Sequence, residues 1–286
     1  MMRLIRFENV TEFVRHVEPF LVKREAENNL LLGLIPLALN YSSTPYMVCV
    51  EDGGEVVAVA LRTPPRGLIL STTDETASLE LIAQDVYALF GSVPDASGPK
   101  AVASSFANYW QACSGQTYKL DMQMGNYSLQ QVRPAANVRG EGRRATEQDR
   151  DLLVTWFYDF EAEAFGKADK ADAEEAINRW FNTPSSTILL WVDEGKAVSM
   201  AGSSRPTPHG IRIGPVYTPP EYRGRGYASA CTAALSQQML DAGYQYCFLY
   251  TDLSNPTSNR IYQNIGYEPV CDIDHYRFED KGHNGH

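Results

Sequence analysis

The sequence predicts an α/β or α+β protein in which a mixed β-sheet is flanked by helices, an arrangement laid down twice along the chain. Three observations predict it. Apolar runs of strand length alternate with segments whose apolar residues recur at helical spacing. The 286 residues exceed the ~100–200 of an ordinary single domain. The order of elements in the first half also restarts in the second, although the residues themselves barely repeat.

Element by element, Phe13, Val14, Val17, Phe20 and Leu21 recur at helical spacing, and a second helical stretch through Leu30, Leu31, Leu34 and Ile35 meets Pro36. Two β-rich runs, 47–50 and 56–61, flank Asp52-Gly53-Gly54 and read as a hairpin. A third strand at 67–71 and a helix over 75–90 follow. Residues 91–99 carry loop chemistry, 105–113 a helix, and 118–129 a pair of strands. The polar stretch Arg139-Gly140-Glu141-Gly142-Arg143-Arg144 then interrupts, which sets a domain boundary between 138 and 139. Beyond it the sequence predicts helices over 147–160 and 173–180, strands over 187–192, 197–203 and 211–217, a helix over 226–242, a strand over 247–251 and a helix over 256–265.

Composition narrows the function classes. A formal charge of -10 argues against a nucleic-acid partner, which needs a basic face. No run approaches the ~18 apolar residues of a membrane span, and charge breaks the N-terminal stretch before a signal core could form, so a cytoplasmic, non-membrane protein is expected. Cys49, Cys113, Cys231, Cys247 and Cys271 are scattered without Cys-x-x-Cys spacing and read as reduced thiols, with no metal site indicated. A homo-oligomer stays open.

The chemistry concentrates at Arg223-Gly224-Arg225-Gly226-Tyr227-Ala228, between the strand ending near Tyr217 and a long helix. Small residues let a ligand approach the backbone, and the first amides of a helix have no intrahelical partner, so this loop suits an anion. A nucleotide P-loop would need Gly-Lys-Ser/Thr, which is absent. A dinucleotide fold would place the turn directly after a strand, whereas Pro219-Pro220-Glu221-Tyr222 intervenes here.

Together with Val216, Pro220, Tyr222 and the run Asn255-Pro-Thr-Ser-Asn259-Arg-Ile-Tyr262-Gln-Asn-Ile-Gly266-Tyr267, the loop resembles the GNAT superfamily of acyl-CoA N-acetyltransferases. That family's pyrophosphate motif is Arg/Gln-x-x-Gly-x-Gly/Ala, and Arg223, Gly226 and Ala228 fill it. The chain is also similar to bacterial predicted acetyltransferases with an extra N-terminal domain. The resemblance implies a catalytic GNAT domain over 139–286 and a degenerate, non-catalytic GNAT-like domain over 1–138. It implies acetyl-CoA as co-substrate, with Gly224, Arg225, Gly226, Tyr227, Ala228 and Ser229 on the pyrophosphate and Val216, Tyr217 and Thr218 along the pantetheine.

Asn255, Asn259 and Tyr262 share one helix face by their spacing. Asn255 is either a helix cap or a cofactor contact, Asn259 is a cofactor contact by resemblance, and Tyr262 is either a core ring or the acid that protonates the departing thiolate. Where many family members carry a glutamate base, this chain has Arg212, which cannot serve as one. The base is left open between His209, which could equally be a surface residue of a turn, and a water relay, and Arg212 could clamp a substrate carboxylate or simply sit solvated on its strand. The implied activity is acetyl transfer to a primary amine of a small molecule or peptide. The alternative is an acyl-CoA-binding sensor without turnover.

In the first half, the corresponding loop reads Ser71-Thr72-Thr73-Asp74-Glu75, without glycine and with two carboxylates that would repel pyrophosphate.

Overall fold

The computed structural model describes residues 1–40, 43–134 and 137–280. The chain forms two compact units, neither continuous in sequence: unit 1 holds Met1–Asn126, Thr251–Ser254 and the chain from Pro269 on, and unit 2 holds Tyr127–Tyr250 and Asn255–Glu268. The boundary expected at 138/139 falls inside unit 2.

Unit 1 begins with strand β1 (Arg3–Phe7) and helices α1 (Val10–Leu21) and α2 (Glu25–Leu34). The meander β2 (Tyr46–Asp52), β3 (Glu55–Arg62), β4 (Leu68–Leu70) follows, then α3 (Ala77–Phe90), β5 (Asp95–Pro99), α4 (Lys100–Ser114) and β6 (Thr117–Leu129). Its sheet order is β1-β2-β3-β4-β5, then the chain's last strand β12 (Glu268–Glu279), then β6. Strand alternation assigns the two cores: Met47 and Cys49 of β2 pack with Phe13, Val17 and Leu21 of α1. Val48 and Val50 pack with Ile82 and Val86 of α3 and Phe106 and Trp110 of α4. Each such side chain, taken from water, stabilises by ~1.5–3 kcal/mol before entropy is counted.

Unit 2 repeats the plan with β7 (Glu141–Arg144), α5 (Arg150–Phe165), α6 (Lys170–Asn182), β8 (Thr187–Asp193), β9 (Lys196–Ser204), β10 (Gly210–Tyr217), α7 (Tyr227–Asp241), β11 (Tyr246–Asp252) and α8 (Pro256–Ile265). Here the sheet runs β7-β8-β9-β10-β11, with the Tyr127–Leu129 end of β6 beside β11. Leu153 and Trp156 of α5 and Ile177 of α6 cover Ile188, Leu190 and Met200 on one face. Cys231 and Leu235 of α7 and Ile265 of α8 cover Leu189, Ile211, Ile213 and Leu249 on the other. Each repeat therefore runs strand, two helices, a three-strand meander, helix, strand, helix, strand. The tandem repeat expected from the sequence is present in the order of elements, and the fold is the expected mixed sheet flanked by helices.

Four elements differ from the sequence reading. β1 and β7 were hidden in charged segments, and residues 118–129 form one long strand rather than two. β5 lies within the expected loop because Asp-Ala-Ser-Gly-Pro has little strand propensity. Its position fits its residues: a Cβ on Gly98 would stand 3.1 Å from the Leu70 Cβ, tighter than an ordinary contact, so glycine eases the approach of β5 to β4. Among the described residues no helix is long and apolar enough to cross a membrane.

Candidate functional site

The site is built around a defect in unit 2's sheet. β10 pairs in parallel with β11 only over Gly210–Arg212, while its pairing with β9 continues to Tyr217. Between them lies a bulge in which Gly214 and Pro215 stand opposite the single Gly202, so the register shifts between Ile213 and Val216. From Ile213 to Tyr217, β10 thus has no ladder pairing with β11, leaving an edge on which an extended ligand could pair.

β10 then leads into a short loop with two left-handed glycines, Gly224 (φ 76°) and Gly226 (φ 82°). These conformations suit glycine because other side chains are strained there. Nothing lies within 4 Å of where a Cβ on Gly224 would stand, so the loop presents open space at that point. A Cβ on Gly226 would come within 2.9 Å of Val138, so this glycine also serves packing. Gly226 caps α7, whose first internal bond runs from the Ala230 amide to the Gly226 carbonyl at 3.0 Å. The amides of Tyr227, Ala228 and Ser229 therefore have no acceptor inside the helix. The loop and strand edge fit a ligand with an extended arm and an anionic end.

Each expected residue has a definite place. Val216, Tyr217 and Thr218 lie on the open edge or just past it, and Thr218 Oγ1 is 2.8 Å from the buried Ser199 hydroxyl, which also donates to the Tyr217 carbonyl. Arg223 braces the loop: its Nε donates to the Thr218 carbonyl at 2.9 Å and its Nη2 to both Glu163 oxygens at 2.8 Å. Arg225 donates to the Glu221 carbonyl at 3.2 Å. Tyr227 donates to Asp193 at 2.5 Å, and that bond, more than burial, raises its hydroxyl pKa.

Asn255 caps α8, its side chain accepting from the Ser258 amide at 3.1 Å, which favours the cap reading. Asn259 stands one turn on and Tyr262 a further turn, both half-buried. Tyr262 packs at the rim of the core cluster that Val216 also borders, against Tyr267 at 6.1 Å between ring centres. Burial pushes its hydroxyl up to about 12.

Two expectations need correction. His209 precedes β10 at the end away from the loop, its carbonyl accepting from the amides of Gln245 and Tyr246. A strand rises ~3.3 Å per residue, so His209 stands roughly 20 Å or more from the loop and is not brought to it. Arg212 is not a solvated strand residue: its guanidinium lies 4.2 Å over the Tyr250 ring, and burial lowers its pKa.

The residues missed by sequence reading are the supports: Ser199, Glu163 and Val138. Each lies far along the chain from the residue it holds, so no local spacing signals it. The Tyr217 hydroxyl pKa is raised by burial and then by the charges of Asp159 and Glu163, with Arg223 acting against them and Glu221 adding the least.

The matching loop of unit 1 is closed by its own side chains. The Thr72 amide donates to Asn28 at 2.9 Å, the Glu75 amide donates to Thr73 at 3.0 Å, and Asp74 pairs with Arg24 at 3.3 Å. Two of the loop's amides are thus engaged, and the Asp74 carboxylate stands beside them.

Residues 153–267 match the acetyltransferase (GNAT) family. No curated protein sequence matches the chain. Among solved structures, the fold is similar to a GCN5-related N-acetyltransferase from Sphaerobacter thermophilus, at 16% identity and TM-score 0.63 over 98% of this chain and 96% of that one. It is similar to a GNAT-family acetyltransferase from Colwellia psychrerythraea, at 14% identity and TM-score 0.56 over 98% and 100% of the two chains. A tandem GNAT protein from the clavulanic acid biosynthesis pathway aligns over 100% of both chains, at 13% identity and TM-score 0.59. At these identities the likeness is one of fold.

Proposed function

We propose that this chain, whose residues 153–267 form a domain of the GNAT acetyltransferase family, moves the acetyl group of acetyl-CoA to a primary amine of a small molecule or peptide. The observation that carries the reading is the open edge of β10, followed after one short turn by the two left-handed glycines and the first amides of α7. Unit 1, with its loop closed by Asn28, Thr73 and Arg24, is on this reading a non-catalytic partner.

Acetyl-CoA when bound supplies an electrophilic thioester and a thiolate leaving group. The amides of the glycine loop and of Tyr227, Ala228 and Ser229 hold its anionic end, and the edge from Val216 to Thr218 orients its arm. An amide of Val216 or Tyr217 would steady the carbonyl oxygen as charge builds on it. The acceptor on this reading is a primary amine, cationic in its ordinary state. Such an amine must shed a proton before it attacks, since its ordinary pKa is ~10.4, and with His209 remote that proton passes to water. As the new C–N bond forms and the C–S bond breaks, the nitrogen sheds its second proton to water, and Tyr262 O–H gives its proton to the sulfur and is reprotonated by solvent.

The site assignment is tested at Gly224, where a side chain meets no atom of the protein. Asn and Asp both tolerate left-handed backbone and differ in charge alone. Gly224→Asn is expected to bind acetyl-CoA within a few-fold of the wild type, and Gly224→Asp at least ~10-fold more weakly, since a carboxylate would face the phosphates. Calorimetry on the two folded variants decides. Equal affinity in both would remove the loop from the cofactor site.

A further inference from the structure

One side-chain cluster of unit 1 takes no part in the acetyl-transfer reading. Successive side chains of β2 point to opposite faces, so Cys49 and Glu51, two residues apart, share the face that α1 covers. His16 of α1 meets them there, its Nε2 standing 2.8 Å from Glu51 Oε1. The imidazole nitrogen, the Cys49 sulfur and the Glu51 oxygen all lie within 4.8 Å of one another. Cys49 is fully buried and Glu51 is 3% exposed, whereas His16 lies at the surface.

Two neighbours orient these groups. The second Glu51 oxygen accepts from Arg3 Nε at 2.9 Å and from Arg3 Nη2 at 2.8 Å, which turns Oε1 towards His16. A carboxylate that ligates a metal is commonly held in this way through the oxygen that does not. The Phe7 ring lies 5.2 Å from the imidazole, centre to centre, and limits its swing.

The donor set selects the ion. Thiolate sulfur, imidazole nitrogen and carboxylate oxygen are the donors zinc takes, at ~2.3, ~2.0–2.1 and ~2.0–2.2 Å. Calcium and magnesium prefer oxygen throughout and gain nothing from the sulfur. Tetrahedral bonds of these lengths set donors ~3.3–3.6 Å apart, so the three atoms need move by no more than roughly 1 Å. One thiolate and one carboxylate also neutralise the ion's double charge, as a buried site requires. Burial and then the Glu51 charge push the Cys49 thiol up to about 12, so the sulfur enters protonated and its proton passes to solvent as the Zn–S bond forms.

We propose that His16, Cys49 and Glu51 form a zinc site whose fourth position is open to water on the His16 side. Bound there, the ion ties α1 to β2. No short spacing announces the site, because His16 stands 35 residues from Glu51 along the chain. The inference rests on no part of the acetyl-transfer reading.

The test uses the full chain, stripped with a chelator, and cobalt(II) as the probe. A four-coordinate cobalt ion is coloured, and a cobalt–thiolate bond adds a near-ultraviolet band. One equivalent is expected to show both signals, and zinc to displace it one for one. Cys49→Ser should lose the near-ultraviolet band. His16→Gln, which keeps a donor for Glu51, should weaken zinc binding at least ~10-fold. Cys113→Ser leaves the cluster whole and should match the wild type. Zinc should also raise the wild-type denaturation midpoint, and that of His16→Gln much less, since an ion bound by the folded protein alone stabilises it.

Should Cys49→Ser fail to fold, the wild-type thiolate band and the His16→Gln affinity decide together. A folded wild-type protein without that band, or zinc affinity unchanged in His16→Gln, overturns the proposal. A band that survives in Cys49→Ser puts the ion on another cysteine and overturns it equally.

Discussion

At the scale of the residue, the decisive group is the Tyr262 hydroxyl. Burial raises it from the ordinary tyrosine value of ~10 to about 12, so it keeps its proton through the whole working range and can always act as donor. The sign follows from the shift. The neutral form is favoured in the folded protein, and the donor is lost only as pH rises through about 12. Two outcomes follow: Tyr262→Phe should lower kcat by ~10²–10⁴-fold with acetyl-CoA binding nearly unchanged. The wild-type kcat should show no alkaline limb from this residue near ~10, where an ordinary tyrosine would titrate. A deficit that shrinks with a more acidic leaving thiol would match proton donation. A Tyr262→Phe enzyme at full speed under chemistry-limited conditions retires the assignment. The Asn255 side-chain oxygen, by contrast, accepts from the Ser258 amide and caps the helix.

At the scale of the element, the bulge in β10 and the end of α8 are where local geometry departs from a regular repeat. The bulge parts β10 from β11 without breaking β10's bond to β9, which is how a sheet can expose an edge in its interior. The end of α8 is tighter. Gly266 has φ 114°, and a Cβ there would press on a backbone carbonyl that cannot swing aside. Gly266→Ala is therefore expected to destabilise by at least ~1–3 kcal/mol. The denaturation midpoint should fall at constant slope. It should also lower kcat, since the turn that gives way is the one that seats Tyr262. A Gly266→Ala protein with wild-type stability would show that β6 and α8 separate freely here.

At the scale of the whole molecule, the last strand of the second repeat completes the sheet of the first. β12 pairs with β5 from Ile273 to Arg277, and Phe278 packs against Phe106 and Trp110 in the core that α3 and α4 share. A fragment ending at residue 138 lacks this strand, exposes the edge of β5 and opens the aromatic core. Burying a ring of this size is worth ~1.5–3 kcal/mol, and lost ladder bonds add to it, against a total domain stability of only ~5–15 kcal/mol. The fragment 1–138 is expected to show no cooperative unfolding transition, and adding a peptide spanning Pro269–Asp280 is expected to restore one. A fragment that unfolds cooperatively without the peptide would mean that the first repeat is self-sufficient.

What the sequence by itself determined is the local and periodic part. The helices of 3.6 spacing, the hairpin at Gly53-Gly54, the meander of the second half and the Arg223–Ala228 loop ahead of α7 all depend on neighbours within a few residues, and all were legible. The resemblance of that loop and of the Asn255–Tyr267 run carried the family. What only the tertiary structure decided is pairing at long range. β5 is a strand because β4 and β12 lie on either side of it, whatever its propensity. His209 drops out and Arg212 stacks on Tyr250 because strand direction, rather than sequence distance, sets which end of β10 a residue occupies. The supports Glu163 and Ser199 were invisible because hydrogen bonds between segments distant along the chain leave no local pattern, and the pairing of the final strand with β5 was invisible for the same reason.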